Sequence, residues 1–330
     1  ELRDAILTGE PYQAHGWFLS RQNPMLALPD RQKTLQAFGK MDFIATVDII
    51  MNDTAWYSDV VLPEASYLER YDPLLTLGGK AFIRQPVIEP QGEAKSALWI
   101  YKQLGERLGL GDYFQYTDEE DYIRQQIAPL GTTLEELKSK GYAEVPTEEG
   151  EKEIVFNTAS GKIEIYSETL AKAGFSPWPT WEEPPIPPEG QFYLLTGKVA
   201  QATQFGTQNN QLLHKYSDEP RLWMNEDTAA SLGLVDGDWV EVTSTVGKVH
   251  ILLRATKAIR QDCVYMTPGY GHLSKGLTTA FGIGASDSVL HVTYTDPISG
   301  GQALSQTFVS VKKVPGTKPV PLPKPLYSGE

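Results

Sequence analysis

The sequence predicts an α/β segment followed by a β-rich, barrel-like one, and three observations carry that reading. Between residues 11 and 62 short apolar runs alternate with turn residues in the order strand, loop, helix, strand. Residues 176–190 hold six prolines, which neither continue a helix nor join a central strand. Beyond them, apolar runs of strand length recur with little helical pattern between. A chain of 330 residues, 41% of them hydrophobic, exceeds one ordinary core and suits two domains.

Each element follows from its residues. Glu1-Leu2-Arg3-Asp4-Ala5-Ile6-Leu7 reads as the interior of a helix without an initiator Met, so a longer chain is expected upstream, where any export signal would lie. Trp17-Phe18-Leu19 is a short strand that enters the polar loop Ser20-Arg21-Gln22-Asn23-Pro24. Leu35 and Phe38 give residues 31–40 helical spacing, and residues 42–48 are β-rich with Asp48 at their carboxyl end. In an open sheet ligands sit outside the carboxyl ends of strands, which puts the 21–24 loop and Asp48 on one rim. Leu98, Ile100, Tyr101, Leu104 and Leu108 recur with helical period until Gly109 stops them. Further helices are predicted over 118–127 and 133–139, the second with Thr133 and Glu136 as a capping box. Residues 156–166 predict a hairpin around Ser160-Gly161.

The prolines at 177, 179, 184, 185, 187 and 188 mark the boundary. After it, strands are predicted over 191–196, 239–244, 248–255 and 263–267, and a short capped helix over 225–232. The stretches 219–225, 236–242 and 247–249 add the rhythm of a small closed barrel. Residues 315–330 hold five prolines and little to bury, which predicts a tail packed on a surface or disordered.

Composition removes several function classes. A net charge of -13 opposes a general nucleic-acid surface, since phosphate binding draws on clustered Lys and Arg. A single cysteine, Cys263, excludes a disulfide framework and any cysteine-ligated iron-sulfur or zinc site built from this chain alone. Its setting, Cys-Val-Tyr-Met, is that of a buried structural thiol. No apolar run approaches the eighteen or so residues of a membrane-spanning helix.

Three constellations carry chemistry. The first joins Arg21-Gln22-Asn23-Pro24, Asp48 and Asn52-Asp53-Thr54-Ala55: backbone donors suit a pyrophosphate, and a strand-end carboxylate suits the N–H edge of guanine. Ordinary turns with Asx caps would use the same residues, and no Gly-x-Gly-x-x-Gly supports an NAD site. The second, Thr196-Gly197-Lys198 with Gln201, Thr203, Gln204, Thr207, Gln208, Asn209 and Asn210, offers many neutral hydrogen-bonding groups and one cation, as a pterin edge plus a phosphate demand; it also reads as a plain polar loop. In the third, Thr267-Pro268-Gly269-Tyr270-Gly271-His272, two glycines let the backbone approach a flat ligand closely. The histidines have no metal-ligand spacing, so neither a metal ligand nor a catalytic residue is assigned.

The order of these segments resembles the dimethyl sulfoxide reductase superfamily of molybdopterin oxidoreductases over roughly residues 10–313. Phe18-Leu19-Ser20-Arg21-Gln22-Asn23-Pro24, residues 42–48, Thr54-Ala55-Trp56-Tyr57-Ser58-Asp59-Val60-Val61-Leu62-Pro63-Glu64 and Tyr67-Leu68-Glu69-Arg70 are similar to one of its domains. Leu195-Thr196-Gly197-Lys198, Ala229-Ala230-Ser231-Leu232-Gly233-Leu234, residues 236–242 and Val264-Tyr265-Met266 are similar to its C-terminal barrel. Gly79-Lys80-Ala81-Phe82-Ile83-Arg84-Gln85-Pro86, residues 157–164 and Asp296-Pro297-Ile298-Ser299-Gly300-Gly301 look like the polysulfide and thiosulfate reductase catalytic subunits, parts of which arsenate and tetrathionate reductases share.

The resemblance implies a Rossmann-like α/β dinucleotide-binding domain over 1–185, with a helical insert near 110–150, then a six-stranded double-psi β-barrel domain over 186–314 and the tail at 315–330. It implies a bis(molybdopterin guanine dinucleotide) molybdenum cofactor. Asn23 and Pro24 would border the phosphates of one dinucleotide and Asp48 its guanine, with Thr54 a further cofactor-binding residue; Gly197, Lys198, Thr203, Thr207 and His272 would approach the pterins or the second dinucleotide. At Lys198 the family commonly has Arg, at Ala202 the sulfur reductases have His, and at Gly206 an Arg is usual. The molybdenum ligand and a 4Fe-4S cluster belong to the N-terminal half. That half, an iron-sulfur electron-transfer subunit and a membrane quinol-oxidising anchor subunit would be the partners, on the periplasmic or extracytoplasmic side, for a two-electron reduction of polysulfide or thiosulfate in anaerobic respiration. Arsenate or tetrathionate reduction, and a non-catalytic dinucleotide-binding module or assembly subunit, stay open as alternatives.

Overall fold

Residues 16–63 fold as their alternation of apolar runs and breakers dictates. In a computed structural model, which describes residues 2–146, 154–217 and 219–320, Gly16–Ser20 (β1), Phe43–Asp48 (β2) and Val60–Pro63 (β3) form a parallel sheet in the order β1-β2-β3. Central β2 has four consecutive buried residues, Ile44, Ala45, Thr46 and Val47, as a strand covered on both faces requires. Helices Pro24–Ala27 and Arg31–Phe38 connect β1 to β2, and Asp53–Trp56 connects β2 to β3. Asp30 caps the second of them by accepting from the Lys33 N–H at 3.1 Å. Leu19, Met25, Phe38 and Ile44 form the local core, with Trp17 edge-on to Phe38 at 5.3 Å. Register pairs Ser20 with Val47 and Asp48 with Pro63, so the three carboxyl ends lie level.

Asp72–Leu77 (β4), Lys80–Arg84 (β5) and Tyr142–Glu144 (β6) form a separate antiparallel sheet, which the sequence did not announce. Gly78 and Gly79, at φ 58° and 74°, make the tight turn between β4 and β5. Helices Glu119–Ile127 and Leu134–Lys140 bury Ile123, Ile127, Leu134 and Leu137 with Ala143. Both halves of the predicted capping box are present, the Glu136 N–H donating to Thr133 Oγ1 and the Thr133 N–H to Glu136 Oε2, each at 3.2 Å. The hairpin predicted over 156–166 does not form. Gly161 N–H donates to the Thr158 carbonyl in a turn, but its flanks find no partner strand: Ile163 and Ile165 are 73% and 83% exposed. Thr158 and Glu164 bond the local backbone instead, as such side chains do in competition with a ladder.

After the proline-rich stretch, Phe192–Thr196 (β7), Leu222–Met224 (β8), Trp239–Thr243 (β9), Lys248–Ala255 (β10), Cys263–Met266 (β11) and Phe308–Lys313 (β12) close into a six-stranded barrel in the order β10-β8-β11-β7-β12-β9. The pairs β10/β8 and β11/β7 are parallel and the others antiparallel. Inward residues such as Leu194, Leu222, Val240, Leu253, Val264 and Val309 are fully buried, and closure leaves no open edge. Cys263 lies in this buried setting, which pushes its thiol pKa up. The described part of the tail folds back: the Val320 N–H donates to the Gly237 carbonyl at 2.7 Å, and Arg221 Nη1 donates to the Val320 carbonyl at 3.0 Å. Residues 321–330 lie outside the described residues.

Contacts divide the chain into two compact units, one of Glu1–Glu69, Ile88–Ile100 and Pro187–Glu330, the other of Arg70–Val87 and Tyr101–Ile186. Sheet β1–β3 groups with the barrel; sheet β4–β6 groups with the helical insert. Among the described residues no helix is long and apolar enough to cross a membrane.

Candidate functional site

Three strand ends meet on the level rim of β1–β3. The Arg21 N–H donates to the Val47 carbonyl at 2.9 Å and the Glu64 N–H to the Asp48 carbonyl at 3.0 Å, so the chain stays paired one residue beyond the sheet. Asp48 Oδ1 accepts from the N–H groups of Ile49 and Ile50 at 2.7 and 3.3 Å, and Oδ2 from Asn52 Nδ2 at 2.8 Å. Burial raises the pKa of this carboxyl, aided by the Glu64 charge and opposed by those donors. Arg21 has a left-handed backbone, φ 53°, and reaches past the end of β2 to Glu64. There Nε donates to both carboxylate oxygens, at 2.7 and 2.9 Å, and Nη2 donates to Oε1. The Glu64 side chain is fully buried and that of Arg21 is 48% exposed.

A second network joins three of the predicted site residues through Asp53, a member of the first constellation to which no binding role was assigned. Asn23 Oδ1 accepts from the Thr54 hydroxyl and N–H at 2.9 and 3.2 Å, and its Nδ2 donates to Asp53 Oδ2 at 3.2 Å. Pro24 begins the following short helix, where its missing N–H costs nothing. Asp53 also holds His272 Nδ1 at 2.7 Å and accepts from the N–H groups of Leu273 and, at 3.1 Å, Ser274. Burial alone would raise the Asp53 pKa, but the hydrogen bond and charge of His272 and the two N–H donors outweigh it and hold the carboxyl at about 2. An ionised carboxylate only accepts, so the proton of this contact sits on His272 Nδ1. The sequence offered no sign of the pairing, because Asp53 and His272 are 219 residues apart.

The barrel loops hold the remaining candidates. Gly197 follows β7 with its carbonyl accepting from Tyr265 Oη at 3.0 Å, and Lys198 is exposed beside it. Thr203 and Thr207 are brought together: the Thr203 N–H donates to Thr207 Oγ1 at 2.7 Å, and that hydroxyl donates to the Gln201 carbonyl at 3.3 Å. A Cβ at Gly269 would lie 2.3 Å from Gln208 Nε2, and one at Gly271 2.3 Å from Ser286 N, so the chain's own groups occupy the room that the missing side chains leave. A pocket of about 210 Å³ opens nearby, lined by Gln201, Trp223, Arg254, Thr267 and Tyr270 among others, with the Arg254 guanidinium 4.7 Å over the Trp223 ring. Trp223 and Arg254 were not among the sequence candidates.

A dinucleotide with pterin and guanine edges fits these residues. Gln208 Oε1 and His272 Nε2 are buried without a hydrogen-bond partner among the described residues, a condition that buried polar atoms rarely keep. Asp48 offers a half-buried carboxylate at a strand end, where N–H edges are read. No cluster of three or more His, Cys, Asp or Glu among the described residues could hold a metal ion.

Comparison with known proteins identifies two families of domain in the chain. The family profile described as Molydopterin dinucleotide binding domain matches residues 192–308, and that described as Molybdopterin oxidoreductase matches residues 6–107. The thiosulfate reductase molybdopterin-containing subunit PhsA of Salmonella typhimurium is 31% identical over 330 residues, covering 90% of this chain and 43% of its own length. The acetylene hydratase of Syntrophotalea acetylenica is 30% identical over 265 residues, covering 76% and 36%. The dimethyl sulfoxide reductase DmsA of Escherichia coli is 26% identical over 323 residues, covering 85% and 39%. The solved structure of acetylene hydratase from Pelobacter acetylenicus superposes with a TM-score of 0.82 at 25% identity, covering 95% of this chain and 46% of that one. The chain therefore spans less than half the length of these relatives.

Proposed function

Since the chain belongs to the molybdopterin oxidoreductases, two of whose domains it carries, we propose that it forms the C-terminal part of a catalytic subunit that reduces polysulfide, thiosulfate or a related sulfur compound by two electrons. The observation that carries the substrate class is the 31% identity to a thiosulfate reductase subunit across 90% of the chain. In this reading β1–β3 is part of a Rossmann-like domain and the six-stranded barrel is of double-psi type. The bound bis(molybdopterin guanine dinucleotide) molybdenum supplies the redox chemistry, and the protein supplies placement and electrostatics. Asp48 accepts from the N–H edge of guanine. Asn23 and Pro24 would border the phosphates, with Thr54 bonded to Asn23 beside them, and Gly197, Lys198, Thr203, Thr207 and His272 would approach the pterins or the second dinucleotide, Lys198 as a single-point cation.

The molybdenum ligand and the 4Fe-4S cluster would then come from the N-terminal half, and electrons from an iron-sulfur subunit and a membrane quinol-oxidising anchor on the extracytoplasmic side. The test is the intact enzyme with a reduced viologen dye against polysulfide, thiosulfate, tetrathionate, arsenate and acetylene. Sulfur-compound turnover with stoichiometric molybdenum and guanine nucleotide is the expected result. Turnover of arsenate alone, or hydration of acetylene alone, would sink the sulfur reading, and recovery of the intact protein only from the cytosol would sink the location.

A further inference from the structure

We propose that the Arg21 guanidinium is a stacking platform for the guanine base of the dinucleotide, and that Glu64 is the positioning residue that holds its plane; this rests on the reading that a guanine dinucleotide lies at the β1–β3 rim. Arg21 adopts a backbone conformation with φ 53°, uncommon for a residue with a Cβ and found where the surroundings over-determine the position. The surroundings here are specific. The Arg21 N–H is tied to β2 at Val47, and Nε and Nη2 grip the Glu64 carboxylate, which is itself buried and tied through its N–H to the Asp48 carbonyl. A planar fork held on one edge by a carboxylate has its plane fixed, while about half of the side chain stays open to solvent, and the same Glu64 is joined through its N–H to Asp48.

Charge decides what such a plane receives. Arg21, Glu64 and Asp48 sum to one negative charge when all are ionised, which disfavours a phosphate at this spot. A neutral base with an N–H edge is favoured: Asp48 accepts from the edge and the guanidinium lies against the face. Lysine would keep the charge and lose the plane, so the two roles of Arg21 separate experimentally.

The experiment uses the intact cofactor-loaded enzyme and measures how fast guanine nucleotide and molybdenum leave the protein in mild denaturant, alongside the melting temperature. Stacking of one base on a flat side chain corresponds to roughly ten- to a hundredfold in retention. Arg21→Lys and Arg21→Ala should both release the dinucleotide faster by about that factor, and Glu64→Gln, which keeps the size and loosens the fork, by a smaller one. Retention of the wild-type rate by Arg21→Lys would overturn the platform and leave only a charge. A lower melting temperature with unchanged release in all three variants would make the pair a brace of the sheet and overturn the proposal equally. Wild-type enzyme without guanine nucleotide would instead defeat the underlying functional reading, so the two failures are distinguishable.

Discussion

At the scale of single residues, the carboxylates of the rim make opposite demands on pH. Asp48→Asn would turn one acceptor into a donor facing both Asn52 Nδ2 and the donors of a guanine. Unpaired buried polar groups cost about 1–3 kcal/mol each, so dinucleotide retention in the intact enzyme should fall roughly ten- to a hundredfold. Full molybdenum and nucleotide content in this variant would show that Asp48 only closes its turn. Asp53, held at about 2 in the folded chain against 3.8 ordinarily, contributes stability that is present above the unfolded value and lost as pH falls toward the folded one. The wild-type advantage over Asp53→Asn, about 2 kcal/mol by that shift, should therefore be full at neutral pH and shrink between about pH 4 and pH 2. An advantage that stays constant across that window in acid-unfolding curves would contradict it. Strand-end logic made Asp48 and Asn23 legible as candidates from sequence. Asp53 stood in the first constellation without a role of its own, because its partner, His272, comes from the other end of the chain, and no periodicity records such a distance.

At the scale of elements, local signals were readable wherever one element satisfies itself. The capping box at Thr133 and Glu136 and the Asp118 cap, which accepts from the Asp121 N–H at 2.8 Å, stand as their spacing implies. Strands that depend on distant partners were harder: β8 has three residues, and β4–β6 pairs segments whose apolar pattern is weak alone. The false hairpin at 156–166 shows the converse, alternation and turn without a surface to bury against. Helix Ala97–Arg107 supplies a test of packing against propensity. Gly105 lies in its interior, where Ala would ordinarily gain about 1 kcal/mol. A Cβ there would stand 2.2 Å from Phe114 Cε2, so Gly105→Ala should instead destabilise by about 1–3 kcal/mol, and adding Phe114→Leu should restore part of the loss. A Gly105→Ala protein with a raised denaturation midpoint would show that the ring moves aside freely.

At the scale of the whole molecule, the ends of the chain are committed to the same unit. Arg3, near one end, donates to the Pro29 carbonyl at 2.5 Å and to Thr293 Oγ1 at 3.2 Å; Arg221, fully buried in the barrel, donates to the carbonyl of Val320. Removing residues 315–330 from the intact subunit deletes the Val320 pairings with Arg221 and Gly237, at about 1 kcal/mol for each hydrogen bond. The melting temperature should drop by several degrees, and an unchanged one would mean that the tail contributes nothing to the barrel. The order of barrel closure reaches beyond stability. The strand β7, first of the barrel to emerge from the ribosome, pairs with β12, the last, so a nascent chain holds a half-made ring with raw edges throughout its synthesis. Such a ring offers no finished grip to a cofactor and an open template to other growing chains. The barrel's share of any site is therefore unfinished until residues 308–313 have been made.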